Sequence, residues 1–465
     1  MLKPAIIFLA TALLSSSQSE AKSFSISSAT ASRAALPLAV SSNVLTLTRK
    51  QSSMGYNSRS AAYLLGLATI PPSTHSSTLI SLFIGEEFAT EITFGTETFE
   101  SIVDTGSSDT WIIESGFKCV NISNSAPETE AFCNFGPTYN VTDTFVQIPD
   151  ENFNITYGDG EFLTGIIGTE EVTLAGITVE QTVALVNYAA WDGDGTTSGL
   201  IGLAYPALYG FHFNFEILTD FHRTSAYAGT DPTLDNSPAG EQIEYSPIFH
   251  TMVTDGLVPD LFSLAILRDI SGPSGYLSLG GLPPLTFNGT FTSTPILITH
   301  IDHYPVTYDF YTINVDSILL HGKPLPGSGG PSIQYIVDSG TTLNYFPTSV
   351  ADAFNAAFDP PAVYSEDDGV YYVDCNAKKP ALDILIAGSR FDTNPLDLIL
   401  LAGTDENGND ICISGVDDGG SDPTEDVYIL GDTFQKNVIS VFDIGAAEMR
   451  FAAREHYPSN DPYKA

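Results

Sequence analysis

Two short stretches of the chain hold residues that could do acid–base chemistry together. Residues 102–107 read Ile-Val-Asp-Thr-Gly-Ser, and residues 336–341 read Ile-Val-Asp-Ser-Gly-Thr. Each puts one aspartate, Asp104 or Asp338, at the end of an apolar run and before a glycine turn with hydroxyl neighbours. Each is followed downstream by an apolar-apolar-Gly run, Leu200-Ile201-Gly202 in the first half and Ile429-Leu430-Gly431 in the second. Two copies of one layout imply two lobes, each lending one acid to a shared cleft. Two carboxyls that face each other cannot both ionise cheaply, so they share a proton and their titrations split. The ionised member can then take a proton from a bound water while the protonated member polarises a carbonyl. The tetrahedral diol collapses as the roles reverse. That is peptide hydrolysis with neither a metal nor a covalent intermediate. The competing reading, two unrelated turn aspartates, does not account for the repeated flanks.

The elements that must hold these acids read as strands. Apolar/polar alternation starts at "EFATEITFG" (87–95) and recurs in "EEVTLAGITVEQTVALV", "FTSTPILI" and "FYTINVDSILLHG". Glycine-bounded apolar runs recur in "TSGLIGLAYP" (197–206), "GYLSLGG" (275–281) and "VYILGDTF" (427–434). Helical patterns are few and short, "SVADAFNAAF" (349–358) being the best. Residues from Glu216 to about 247 are polar and rich in Pro and Gly, which reads as a surface excursion. The predicted class is all-β with minor helix.

With 465 residues, 43% of them hydrophobic, the chain can build two domains with a substantial core. Its charge is lopsided. Six of 17 basic residues but only one of 56 acids precede position 60, leaving 11 basic against 55 acidic residues beyond it. A polyanion would be repelled, so nucleic acid is not an expected partner. Crowded carboxylates have raised folded pKa values, so the composition suits an acidic environment, although solubility alone also accounts for it.

"MLKPAIIFLATALLSSSQSEAKS" reads as a secretory leader with cleavage after Ala21; its apolar stretch is too short to span a bilayer. Residues 22–75 are Ser/Ala-rich, basic and weakly patterned, and read as a prosegment outside the core. The polar C-terminus shows no anchor signal. We therefore expect a secreted protein with no membrane anchor, vacuolar delivery being compatible with the same leader. Asn121, Asn140, Asn154 and Asn288 stand in glycosylation sequons. Four cysteines allow three pairings. Cys119–Cys133 with Cys375–Cys412 is favoured because both loops are short and local to one half.

These stretches together resemble the pepsin family of aspartic endopeptidases, from about residue 80 to 455. The resemblance is carried by Asp104-Thr105-Gly106-Ser107 with Trp111, "ITYGDGEFLTG" (155–165), "SGLIGLAYP", "GLVPDLFSLAI" (256–266), Asp338-Ser339-Gly340-Thr341 and "YILGDTFQKNVISVFD" (428–443). It implies a bilobal fold of two β-rich lobes around a central cleft, with a β-hairpin flap. Residues 80–268 would form the lobe with Asp104 and the flap, and residues 272–455 the lobe with Asp338. Asp104 and Asp338 would be the dyad. Thr105 and Ser339 would bond between the lobes behind it, and Ser107 and Thr341 would bond the outer carboxylate oxygens. Tyr157 would be the flap tyrosine, with Gly158 and Asp159 at the tip and Trp111 offering its indole N–H to Tyr157. A basic residue of "VLTLTRKQS" (44–52), Arg49 or Lys50 among the candidates, would block the dyad in a zymogen. The implied activity is acid endoproteolysis of extended polypeptides, seven or eight residues in the cleft, by a monomer with no cofactor and no metal.

The chain departs from the family pattern at Glu161, where a small hydroxyl residue is commoner, at Ser198, which replaces an acid, and in the long 216–247 segment. Asp159 at the flap tip would favour a basic residue at P1, against the plainer reading of a turn aspartate. Asp432 and Asp443 lack the Asp-Thr/Ser-Gly turn and read as structural. "DGDGT" (192–196) and "DENGND" (405–410) lack calcium-loop spacing and read as acidic turns. No His-Glu-x-x-His or Gly-x-Ser-x-Gly motif is present.

Overall fold

The computed structural model describes residues 24–27, 43–49, 80–82, 87–157, 161–206, 245–268, 272–285, 290–301, 307–366, 368–405, 408–423 and 426–454. The proposed leader, Lys50, the flap tip 158–160, Asn288 and most of the 216–247 segment lie outside them. Among the described residues no helix is long and apolar enough to cross a membrane.

The architecture is almost wholly β-strand. A nine-stranded sheet holds the first half, and seven-, six- and two four-stranded sheets hold the rest. The internal repeat seen in sequence is a repeat of topology. Strand Glu97–Asp104 runs parallel to Gly199–Gly202, with Asp104 opposite Gly202. Strand Gln334–Val337 runs parallel to Tyr428–Leu430, with Val337 opposite Leu430. In each half the segment after the aspartate turn comes back antiparallel to the apolar-apolar-Gly strand: Thr110–Val120 in one, Asn344–Phe346 in the other. Each aspartate strand is thus sandwiched in mid-sheet, and residues 101–104 and 335–337 are buried without alternation.

The long hairpin Phe162–Leu174/Ile177–Ala190 turns at Ala175-Gly176, both at positive φ. The strand Val146–Thr156 pairs with its outer edge and leads into Tyr157. The expected helix appears as Thr348–Asn355, burying Val350, Ala351 and Phe354. A six-stranded sheet joins strands Thr292–Pro295, Glu448–Ala453, Val438–Asp443, Phe262–Ile266, Gly272–Leu279 and Asn43–Arg49, in that order. Residues 43–49, weakly patterned in sequence, are therefore an edge strand of this sheet. A second stretch of the 22–75 region, Phe24–Ser27, pairs with Leu297–Ile301. A weak pattern is what an edge strand permits, because one side of its ladder is unpaired. The two disulfides are Cys119–Cys133 and Cys375–Cys412, the pairing favoured from loop length.

Candidate active site

The two aspartate turns meet face to face. Asp104 and Asp338 are 1% and 2% exposed, and their carboxyls are hydrogen-bonded to each other. The surroundings of the pair are nearly twofold. Gly106 N–H donates to Asp104 Oδ1 at 2.7 Å, and Gly340 N–H to Asp338 Oδ1 at 2.9 Å. The Ser107 hydroxyl donates to Asp104 Oδ2, and Thr341 Oγ1 to Asp338 Oδ2 at 2.6 Å. Only glycine fits at 106 and 340. A Cβ on Gly106 would lie 2.6 Å from the Asp338 carboxyl atoms, and one on Gly340 would overlap the Asp104 carboxyl.

Behind the carboxyls the lobes are cross-bonded. Thr105 Oγ1 donates to Val337 O at 3.1 Å and accepts Ser339 N–H at 2.9 Å. Ser339 Oγ donates to Val103 O at 2.8 Å and accepts Thr105 N–H at 3.2 Å. Four buried bonds across the lobes, each worth about 1 kcal/mol net, fix the spacing of the two acids. Burial pushes both carboxyls up, and the charge of Asp338 pushes Asp104 further. The bonds from Ser107, Thr341 and the two glycine amides pull the other way. The net effect is that both carboxyls are harder to ionise than an ordinary aspartate.

Trp111 Nε1 donates to the Tyr157 hydroxyl at 2.7 Å, as expected. Tyr157 is buried, and burial together with the nearby Asp104 charge holds its hydroxyl protonated, well above its ordinary pKa. Tyr157 N–H donates to Glu161 O at 2.7 Å, closing the base of the turn whose tip, Gly158 and Asp159 included, lies outside the described residues. Glu161 is buried, and its Oε1 accepts the Asp192 N–H at 2.7 Å. Ser198 is buried and donates to Pro137 O at 2.5 Å, so a hydroxyl suffices at that position.

The remaining acids sort by contact. Asp443 pairs with Arg450 and accepts the Ala446 N–H, a structural role. Asp432 is fully buried beside Lys436, with no hydrogen bond to its carboxyl among the described residues; burial drives its pKa well up. Asp194, in one of the acidic turns, caps the N–H groups of Thr196 and Thr197. Asn140 is exposed, and Asn121 and Asn154 are half-buried. Trp191 carries no motif signal, yet its ring lies against Trp111 and Tyr157, at centroid distances of 5.4 and 5.6 Å.

The sequence profile of the eukaryotic aspartyl proteases matches residues 87–220 and 234–454. A probable aspartic-type endopeptidase of Aspergillus fumigatus is 49% identical over 380 residues, 81% of each chain. Cathepsin E of Aquarana catesbeiana is 29% identical over 82% of each chain. Rhizopuspepsin of Rhizopus chinensis is 25% identical over 83% of this chain and 81% of its own.

Proposed function

Because the chain belongs to the eukaryotic aspartyl proteases and is an aspartic-type endopeptidase, we propose that Asp104 and Asp338 are its catalytic pair and that it cleaves polypeptides in acid. The observation that carries this reading is the hydrogen-bonded, buried pair of carboxyls in near-twofold surroundings.

A water between the carboxyls loses a proton to the ionised one as its oxygen attacks the scissile carbonyl carbon. The protonated carboxyl gives its proton to the carbonyl oxygen, forming a diol. The C–N bond then breaks: the leaving nitrogen takes a proton from the carboxyl that received the water's, and the other carboxyl recovers one from a diol hydroxyl. The products are a carboxylic acid and an amine, and the pair again holds one proton. Raising pH removes that proton, which is the physical ground for an acidic optimum. Gly106, Gly340, Ser107 and Thr341 hold the carboxyls, Thr105 and Ser339 hold the lobes, and Tyr157 with Trp111 forms the base of the flap that covers an extended substrate.

We further infer a secreted, monomeric zymogen that uses no cofactor. The leader-like residues 1–21 and the sequons, of which Asn140 is exposed, support secretion. The strand Asn43–Arg49, laid on the edge of the six-stranded sheet, supports a folded prosegment; the basic residues of 44–52, Arg49 and Lys50 among them, are its candidate blocking cations.

The test is digestion of denatured haemoglobin at about pH 3.5, where a shared-proton carboxylate pair is competent. Wild-type protein, pretreated with acid, is expected to cleave and to be blocked by a statine-type transition-state analogue; Asp104→Asn is expected to be inert. Cleavage by folded Asp104→Asn at the wild-type rate would overturn the assignment.

A further inference from the structure

Residues 191–195 tie the base of the flap to the Cys119–Cys133 disulfide loop. On the flap side, the Trp191 ring meets Tyr157 edge to face, 5.6 Å at 73°. It meets Trp111, the hydrogen-bond donor to Tyr157, in the same way, 5.4 Å at 79°. The next residue gives its backbone N–H to Glu161 Oε1, at the far foot of the same turn. One dipeptide therefore grips both feet of the flap, one by ring contact and one by a hydrogen bond.

On the other side, the Trp191 ring lies flat on Phe135, 5.8 Å at 13°. Phe135 packs edge-on against Phe117, 5.3 Å at 86°. Asn134 Nδ2 donates to Gly193 O at 2.7 Å, and Gly193 N–H donates to Cys133 O at 2.9 Å. A Cβ at Gly193 would come within 2.6 Å of Asn134 O and Cys133 O, so the two loops can approach only with glycine there. Asp194 then locks the turn by accepting the N–H groups of Thr196 and Thr197. Trp191 is 4% exposed, although it lies in the loop after the strand Ile177–Ala190 rather than in a sheet. Edge-to-face rings resist rotation because the positive edge of one faces the negative face of the other. The ring is packed against Phe135, Trp111 and Tyr157, and hydrogen bonds at Asp192 and Gly193 hold the backbone that follows it.

We propose that Trp191 is a positioning residue of the endopeptidase: it sets the orientation of Tyr157 by holding both that ring and its hydrogen-bond donor, Trp111. The proposal rests on the reading of Tyr157 as the flap tyrosine. Substrate lies under this tyrosine, and a misplaced covering group lowers the fraction of bound substrate in reactive geometry. The cost should appear in kcat/KM rather than in stability alone.

The experiment compares Trp191→Leu, which keeps apolar bulk but no ring, with Trp191→Phe, which restores a ring, each alone and with Tyr157→Phe, in acid-activated full-length protein. Trp191→Leu should lower kcat/KM about tenfold, and Trp191→Phe by no more than about threefold. The Trp191→Leu/Tyr157→Phe double variant should be no worse than the poorer single one, since both changes disable one device. The chain has two tryptophans, and they are these neighbours. The near-ultraviolet circular dichroism of wild type should therefore contain a coupled indole signal that disappears in both Trp191 variants. Folded Trp191→Leu with wild-type kcat/KM, or losses that multiply in the double variant, would overturn the proposal. Should Trp191→Leu not fold, hydrogen exchange at the Tyr157 N–H in Trp191→Met, which also keeps bulk without a ring, decides: faster exchange than in wild type supports positioning, and unchanged exchange refutes it. Asp104→Asn is assayed in parallel. Its survival would sink the catalytic pair itself, whereas an inert Asp104→Asn beside an unimpaired Trp191→Leu sinks only the positioning role.

Discussion

Asp417 should make the protein lose stability as the pH rises, and the size of the loss can be worked from its surroundings. It sits in the strand Val416–Asp418, parallel to Asn344–Phe346 and opposite Tyr345, five residues C-terminal to Cys412 of the second disulfide. It is 1% exposed. Its Oδ1 accepts the Asp418 N–H at 2.7 Å, while its Oδ2 has no hydrogen-bond partner among the described residues. The neighbouring Asp418 is better provided for, accepting from Thr348 Oγ1 and Gly420 N–H. Burial, and then the charge of Asp418, push the Asp417 pKa up from 3.8 to about 7. The sign follows directly. Below the unfolded value both states are protonated and nothing is lost; between that value and about 7 the unfolded chain ionises while the folded one does not, so stability falls. At ~1.36 kcal/mol per pH unit, the loss by pH 8 is about 4 kcal/mol. Asp417→Asn copies the protonated form at every pH. It should be nearly neutral at pH 4 and stabilising by up to about 4 kcal/mol at pH 8, or roughly 8 °C in Tm at about 2 °C per kcal/mol. Both tryptophans lie in the other lobe, so calorimetry is the assay, not fluorescence. A variant that gains nothing at pH 8 would refute the reasoning. An equal gain at both pH values would assign the effect to packing instead of ionisation.

Three further outcomes are expected. Gly106→Ala should fold yet lose at least about a hundredfold in kcat, because the new Cβ would lie 2.6 Å from the Asp338 carboxyl and push the pair apart; haemoglobin digestion by correctly folded variant measures it. Arg268→Ala should cost about 3–5 kcal/mol in urea unfolding, since it strands Asp397 in a site where both partners are 1% exposed. His250 is largely buried with Nδ1 unpartnered, and burial lowers its pKa from 6.5 to about 4. Its stabilising contribution is present above pH 6.5 and is lost as pH falls toward 4, so His250→Phe should gain up to about 3 kcal/mol at pH 3.5 and little at pH 7.5 by calorimetry.

What could be read from sequence alone divides along a physical line. The aspartate pair is legible because its requirements are local: a strand end, a glycine turn and a hydroxyl within four residues, written twice. The disulfides are legible for a similar reason, since short loops within one half favour a single pairing. The strand Asn43–Arg49 is not legible, because its ladder is completed by Gly272–Leu279, more than two hundred residues away, and an edge position asks little of its side chains. Asp417 and Trp191 are the instructive cases. Asp417 stands in "VDDGG", a string that reads as a solvated acidic turn; only the packing of Tyr345 and its neighbours makes one of its two acids costly and leaves the other satisfied. Trp191 stands in "AAWDGDG", where a lone ring has no period to betray a buried face. Its partners come from positions 111, 135 and 157, in three separate segments of the chain, and the glycines that let the loops approach look like ordinary turn residues. Chemistry that depends on a residue type at a fixed spacing can be read along the chain. Chemistry that depends on which neighbours are absent, as at Asp417, or on rings converging from several elements, as at Trp191, exists only once the chain has folded.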